Sequence, residues 1–288
     1  MPAATLLAPA KINLHLEILG LRDDGYHELR TLFYPVPVPC DVIEVLPGPD
    51  DDFYIRCPER PELETTSNIL YKAWKAFGEV SGFKPGIFVA LTKRIPMGGG
   101  LGGGSSDAAA LLKWLNGEAD DKALPMADMI KLAAQLGADV PFFLQDGPAW
   151  AGGIGEALSP AEVDLSGATL LLACPAIHVD TAWAFRAWDE KYGAVPSYES
   201  LTSKRGGTKN PSPVSPREMT NAFEEVVFEE HPSLLDIKQT LLSHGAEHAA
   251  MSGSGASLFG IYRDRDSAAS AARALEKQGI EIFQVDCP

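Results

Sequence analysis

Six of the seven residues from Gly98 to Gly104 are glycine, and the run stands between a strand-like segment and a helix-like one. Glycine carries no Cβ and accepts positive φ, so consecutive backbone N–H groups can turn toward a single anion. The helix that follows adds unpaired N–H donors and about half a positive charge at its N-terminus. The run therefore reads as a phosphate cradle made of backbone. Ser105 or Ser106 is placed to cap the helix, or to meet phosphate or a magnesium ion.

Other readings of the run fit less well. A flexible linker is seldom framed by a strand and an immediate amphipathic helix. A Walker A loop needs Gly-Lys-Ser/Thr, and no lysine occurs in the run. The spacing Gly98-x-Gly100-x-x-Gly103 satisfies the dinucleotide pattern, with Asp120 placed for a ribose contact. So many glycines satisfy almost any pattern, however, and no further α/β repeat is nearby. A serine-hydrolase elbow needs G-x-S-x-G, which neither Ser106 nor Ser254 provides.

Charge sharpens the phosphate reading. The chain has 288 residues and a net charge of −15, so an anion site cannot rely on the global field and needs local donors. The same charge weighs against nucleic-acid partners, which call for a basic face. Hydrophobic residues at 45% and charged residues at 22% are globular values, and the length suits one large or two moderate domains. No stretch approaches the roughly 18 apolar residues that span a bilayer. Met1 to Ala10 lacks the basic and apolar regions of a targeting segment, so a cytoplasmic protein without membrane partners is expected. Cys40, Cys57, Cys174 and Cys287 are scattered without a C-x-x-C pair, which fits isolated thiols.

From Lys11 to Leu19, Ile12, Leu14, Leu16 and Ile18 alternate with Lys11, Asn13, His15 and Glu17, which predicts a strand with one buried face and puts Lys11 and Asn13 on one side. A turn at Gly20–Gly25 leads to Tyr26-His27, and a second strand is expected at Asp41–Leu46, after the proline-rich Pro35–Pro39. A helix at Asn68–Phe77, a strand at Ile87–Ile95, a helix at Ser105–Leu115 and a helix at Met126–Leu136 follow. Apolar Ala168–Ala173 opens a second half. Ser197–Arg217, with Lys204, Arg205 and Lys209, reads as a polar exposed loop. Helices near Glu218–Phe228 and Ser233–Ser243, a strand at Ser257–Tyr262, the helix Ser267–Lys277 and the strand Ile280–Val285 suggest an α+β layer with helices on one side.

Three segments, Pro9-Ala10-Lys11-Ile12-Asn13-Leu14, Pro96-Met97-Gly98 through Asp107-Ala108-Ala109, and Met251-Ser252-Gly253-Ser254-Gly255-Ala256, resemble in order and spacing the three motifs of the GHMP small-molecule kinases. Arg22-x-Asp24-Gly25-Tyr26-His27 and Gly137-Ala138-Asp139-Val140-Pro141-Phe142 resemble the branch acting on a cytidine-diphosphate-linked polyol. The resemblance implies a two-domain α+β fold, ribosomal-S5-domain-2-like at residues 1–163 and ferredoxin-like at residues 164–288. It implies ATP as co-substrate with Mg²⁺, phosphorylation of the 2-hydroxyl of a cytidine-diphospho-methylerythritol, and a monomer or homodimer. Another GHMP kinase of homoserine or phosphomevalonate type, or a non-catalytic nucleotide-binding regulator on the same scaffold, stands as the alternative. The Tyr26, His27 and Phe185 rings speak against the first, and the joint presence of Lys11 and Asp139 speaks against the second.

The resemblance also assigns roles. Asp139 matches the catalytic aspartate, a general base for the acceptor hydroxyl; on the residues alone, a cap for a short helix at Pro141-Phe142 reads as well. Lys11 matches the catalytic lysine, otherwise an ordinary strand lysine. ATP would lie on Pro96, Met97, Gly98, Gly99, Gly100, Leu101, Gly102, Gly103, Gly104, Ser105 and Ser106. Asn13, Tyr26, His27, Phe33 and Phe185 would bind the acceptor, with Tyr26 and Phe185 as rings for a nucleobase and His27 reading its edge. Core packing is the other reading of Phe33 and Phe185. Ser252, Gly253, Ser254 and Gly255 would support the phosphates, or else form a tight turn. His244 and His248 lack a metal-site signature, and the metal ligands stay unassigned. Position 107 is aspartate where the motif commonly has asparagine, so its role stays open.

Overall fold

The computed structural model describes residues 2–49, 51–193 and 219–287. The expected loop Ser197–Arg217 and its basic residues lie outside them. In chain order the strands and helices are β1 (Ala4–Leu21), β2 (His27–Pro47), β3 (Phe53–Arg56), α1 (Ile69–Ser81), β4 (Ile87–Thr92), α2 (Gly103–Glu118), α3 (Met126–Leu136), β5 (Ala149–Gly152), β6 (Ala157–Pro160), β7 (Thr169–Cys174), α4 (Thr181–Tyr192), α5 (Glu224–Glu230), α6 (Pro232–Ser243), β8 (His248–Met251), β9 (Leu258–Tyr262), α7 (Arg265–Glu276) and β10 (Glu281–Asp286). Two compact units emerge, and β1 and β2 contribute to both.

The first unit comprises Met1–Ala10, Pro39–Pro96 and Gly102–Asp146. Here β4 pairs antiparallel with the C-terminal half of β2 and parallel with β3. Ile87, Val89 and Leu91 of β4 are buried while Phe88 between them is exposed, the period of a strand with one covered face. Helices α1, α2 and α3 pack on one another, and Leu70, Trp74, Phe77, Leu111, Leu112, Leu115, Met129 and Leu132 are buried. Asn68 caps α1 by accepting the N–H of Leu70, and Gly82 ends it in the left-handed region.

The second unit comprises Lys11–Val38, Met97–Leu101 and Gly147–Pro288. The N-terminal half of β2 pairs antiparallel with β5, and β5 with β6. A separate antiparallel sheet has the order β10-β7-β9-β8. With helices between β7 and β8 and between β9 and β10, this is the β-α-β-β-α-β ferredoxin-like arrangement. Its core gathers Leu171, Ala173, Phe223, Val227, Leu234, Leu241, Leu258, Tyr262, Ala271 and Leu275.

Several expectations need correction. Residues Ala10 through Leu16 of β1 are buried on both faces rather than one. Strand β2 starts at His27, well before the expected Asp41, and runs through Pro35, Pro37 and Pro39. The prolines fall between the stretch paired with β5 and the stretch paired with β4, where their missing N–H breaks neither ladder. Helix α2 begins two residues before Ser105 and is capped by Gly102 at φ 72, so neither Ser105 nor Ser106 is its N-cap.

Candidate active site

In the second unit, a buried hydrogen-bonded cluster joins four segments of the chain. Lys11 Nζ donates to Asn13 Oδ1 at 2.7 Å, as expected of two side chains on one side of a strand. Asn13 Nδ2 donates to Thr31 Oγ1 at 2.7 Å, and that hydroxyl donates to the His15 carbonyl at 2.7 Å. The Asn13 N–H donates to Ser252 Oγ at 3.1 Å, and Ser252 Oγ donates to the Gly100 carbonyl at 2.9 Å. Backbone bonds run from Ser257 N–H to the Gly99 carbonyl (3.2 Å) and from Lys11 N–H to the Leu101 carbonyl (3.0 Å). Lys11, Asn13, Gly99–Leu101 and Ser252 thus come together. Phe33 is buried with Lys11 Nζ 4.9 Å from its ring centre, a cation–π contact.

Glycine is required at position 100. Its φ is 76, and a Cβ there would collide with the Ser252 carbonyl. The Ser252–Gly255 segment joins β8 to β9, with Met251 and Leu258 as the last paired residues. Asn221 Nδ2 holds it by donating to the Met251 (2.7 Å) and Gly253 (2.8 Å) carbonyls, and Ser254 Oγ lies 2.7 Å from Thr181 Oγ1.

A second cluster in the same unit is aromatic. The Phe185 ring, on α4, stacks on His27 with centres 4.6 Å apart and planes at 17°, and Trp188 meets His27 edge-on at 6.1 Å. His27 Nε2 lies 2.8 Å from Asp189 Oδ1. Phe185 also contacts Phe223 edge-on at 4.9 Å, so it packs on the core and on His27 at once. Tyr26 is 60% exposed.

In the first unit, Gly102 caps α2 and Gly103 through Ser106 form its start, and Pro96 ends the segment leading from β4. Asp139 precedes a short 3₁₀ helix at Val140–Leu144, and its side chain makes no capping hydrogen bond to that helix. Asp107 is 3% exposed, and its Oδ2 accepts from Lys93 Nζ at 2.8 Å. Burial, with repulsion from Asp41, pushes the Asp107 carboxyl up to about 7 against the pull of Lys93. Burial lowers the Lys93 ammonium, but Asp107 and Asp41 more than offset that, and the net shift is upward.

Sequence reasoning did not single out Thr31, Asp41, Lys93, Asp189 or Asn221; Thr181 it reached only as part of the pattern Thr181-x-x-x-Phe185.

The GHMP kinases N terminal domain profile matches residues 68–147, and the GHMP kinases C terminal profile matches residues 212–281. The chain belongs to the GHMP kinases, a family of small-molecule phosphotransferase enzymes. It is similar to the 4-diphosphocytidyl-2-C-methyl-D-erythritol kinase of Solidesulfovibrio magneticus, with 42% identity covering 97% of this chain and 95% of that one. The enzyme of that name from Nitratidesulfovibrio vulgaris strain Hildenborough is 41% identical, with 98% of each chain covered. A crystal structure of 4-(cytidine 5'-diphospho)-2C-methyl-D-erythritol kinase superposes with a TM-score of 0.77 at 34% identity, covering 98% of both chains. No helix among the described residues is long and apolar enough to cross a membrane.

Proposed function

We propose that this kinase transfers the γ-phosphate of ATP to the 2-hydroxyl of 4-diphosphocytidyl-2-C-methyl-D-erythritol. The full-length likeness to relatives carrying that name is the observation that carries the reading. The His27–Phe185 stack supports it, because a nucleotide-linked acceptor needs ring surfaces and a hydrogen-bonding edge. Residues 1–163 would form the ATP-binding and catalytic domain, and residues 164–288 the C-terminal GHMP domain. Both reactants are small molecules, and an acidic chain without nucleic-acid or membrane partners suits the cytoplasm.

In this reading Asp139 takes the proton of the attacking hydroxyl, and Lys11 offsets charge on the transferring oxygens. The Lys11–Asn13 hydrogen bond fixes the direction of the ammonium. Gly98–Gly104 and the α2 N-terminus hold the phosphates through N–H groups, and Ser252–Gly255 steadies the run through the Ser252–Gly100 bond. Tyr26, His27 and Phe185 receive the cytosine, with Asn13 and Phe33 completing the acceptor side.

Among the described residues no three His, Cys, Asp or Glu side chains gather as a metal site. A magnesium ion would therefore be held mainly by the nucleotide's phosphates, with few protein oxygens. Ser106 Oγ, buried and without a hydrogen-bond partner among the described residues, fits that need. The ion would supply charge neutralisation at the phosphates. A coupled ADP-release assay with 4-diphosphocytidyl-2-C-methyl-D-erythritol, homoserine and phosphomevalonate tests the proposal. Turnover with the first alone is expected, and no turnover with it would sink the assignment.

A further inference from the structure

Three ionisable side chains meet inside the first unit where β4 leads toward the glycine run. Asp41, on β2, is fully buried. Its Oδ1 accepts the backbone N–H of Arg94 at 2.5 Å and of Ile95 at 2.8 Å, and its Oδ2 pairs with the Lys93 ammonium. The same ammonium donates to Asp107 Oδ2 on α2 at 2.8 Å. Residues 93–95 precede the run and Asp107 follows it, so one lysine ties the two stems together. A Cβ on Gly103 would lie 3.3 Å from Asp41 Oδ2 and 3.1 Å from Ile95, which shows how closely the start of α2 is drawn against this carboxylate.

The arrangement is costly as a source of stability alone. Two carboxylates share one ammonium, and Asp107 Oδ1 is buried without a hydrogen-bond partner among the described residues. Buried ion clusters seldom outdo apolar packing in net stability, and their best-attested use is to select one arrangement over its neighbours. A loop of glycines has the most to lose on being ordered. Fixing its stems beforehand lowers what a ligand must supply.

We infer that Asp41, Lys93 and Asp107 form a positioning clamp that fixes both stems of the glycine run, so that the first N–H groups of α2 are set for a nucleotide's phosphate chain. The inference rests on the phosphate-cradle reading of the run. The clamp residues touch no reacting atom; they act through the backbone that they hold.

Calorimetric titration of AMP, ADP and ATP into the wild type, Lys93→Met, Asp107→Ala and Asp107→Asn tests the clamp. Lys93→Met and Asp107→Ala should weaken ATP about tenfold or more, ADP less, and AMP by no more than about twofold. Asp107→Asn keeps an oxygen for Lys93 and should recover most of the ATP affinity. A general loss of packing would weaken all three nucleotides alike, so an equal loss overturns the clamp, as does an unchanged ATP affinity in a folded variant. Should Lys93→Met not fold, Asp107→Ala leaves the Asp41–Lys93 pair and both backbone bonds in place and decides the matter alone. A wild type that binds ATP no better than AMP removes the phosphate-cradle reading itself, and the clamp with it.

Discussion

The surroundings of Gly100 and of His27 are built on opposite plans. Around Gly100, buried polar groups hold backbone to backbone: Ser252 links the Asn13 N–H to the Gly100 carbonyl, and no side chain fits where Gly100 stands. Around His27 the contacts are made by side chains, the Phe185 and Trp188 rings and the Asp189 carboxylate, and the neighbouring Tyr26 is largely exposed. A part made of backbone reads what all nucleotides share, their phosphates. A part made of side chains can be changed one ring at a time, so under the proposed function it is where specificity for the acceptor would be set.

The largest effect that sharpens this comparison belongs to the chemistry between binding events. Asp139→Asn should lower turnover by about two to four orders of magnitude while ATP affinity stays nearly unchanged. Stopped-time ADP release and nucleotide titration check the two halves separately, and near-normal turnover would remove Asp139 from the base role. Next, Gly100→Ala adds a Cβ at positive φ against the Ser252 carbonyl, and kcat/KM should fall by about a hundredfold through lost ATP affinity. An active Gly100→Ala enzyme would break the backbone side of the comparison.

Smaller effects are expected at the rings. Phe185→Ala should raise KM for the cytidine substrate by about ten- to a hundredfold with kcat and ATP affinity little altered, the size of one lost base–aromatic stack. A fall in kcat with KM unchanged would contradict that split. The smallest effect is a control outside both regions. Burial, aided by Lys238, pushes the His248 imidazole down to about 4. Folding thus favours its neutral form, and the stability it contributes is present above the unfolded value near 6.5 and is lost as pH falls toward 4. Thermal melts across that window should show a falling Tm, the slope should flatten in His248→Gln, and kinetics at neutral pH should stay the same.

Much of the Gly100 region was legible in the sequence, because its signals are local. Strand alternation puts Lys11 and Asn13 on one side, and the density of glycine has few other uses. Even there the start of α2 was misread. Glycine is a poor helix former, yet Gly103 and Gly104 are helical and Gly102 caps them, a local rule broken where the proposed phosphate cradle would use open N–H groups. The His27 region was legible only as residue types. Its geometry depends on Asp189 and Phe185, more than 150 positions away, and no periodicity encodes such a contact. Asp41 shows the same limit. It reads as the start of a strand, and only the fold reveals that its carboxylate holds the N–H groups of Arg94 and Ile95.

The most direct measurement is a ³¹P NMR record of one turnover, with the protein in excess over ATP, Mg²⁺ and 4-diphosphocytidyl-2-C-methyl-D-erythritol. ADP and an equal amount of a new phosphomonoester on the 2-hydroxyl are expected, with the cytidine diphosphate linkage intact. Unchanged ATP in the presence of the acceptor, or phosphate released only to water, would contradict the proposed function.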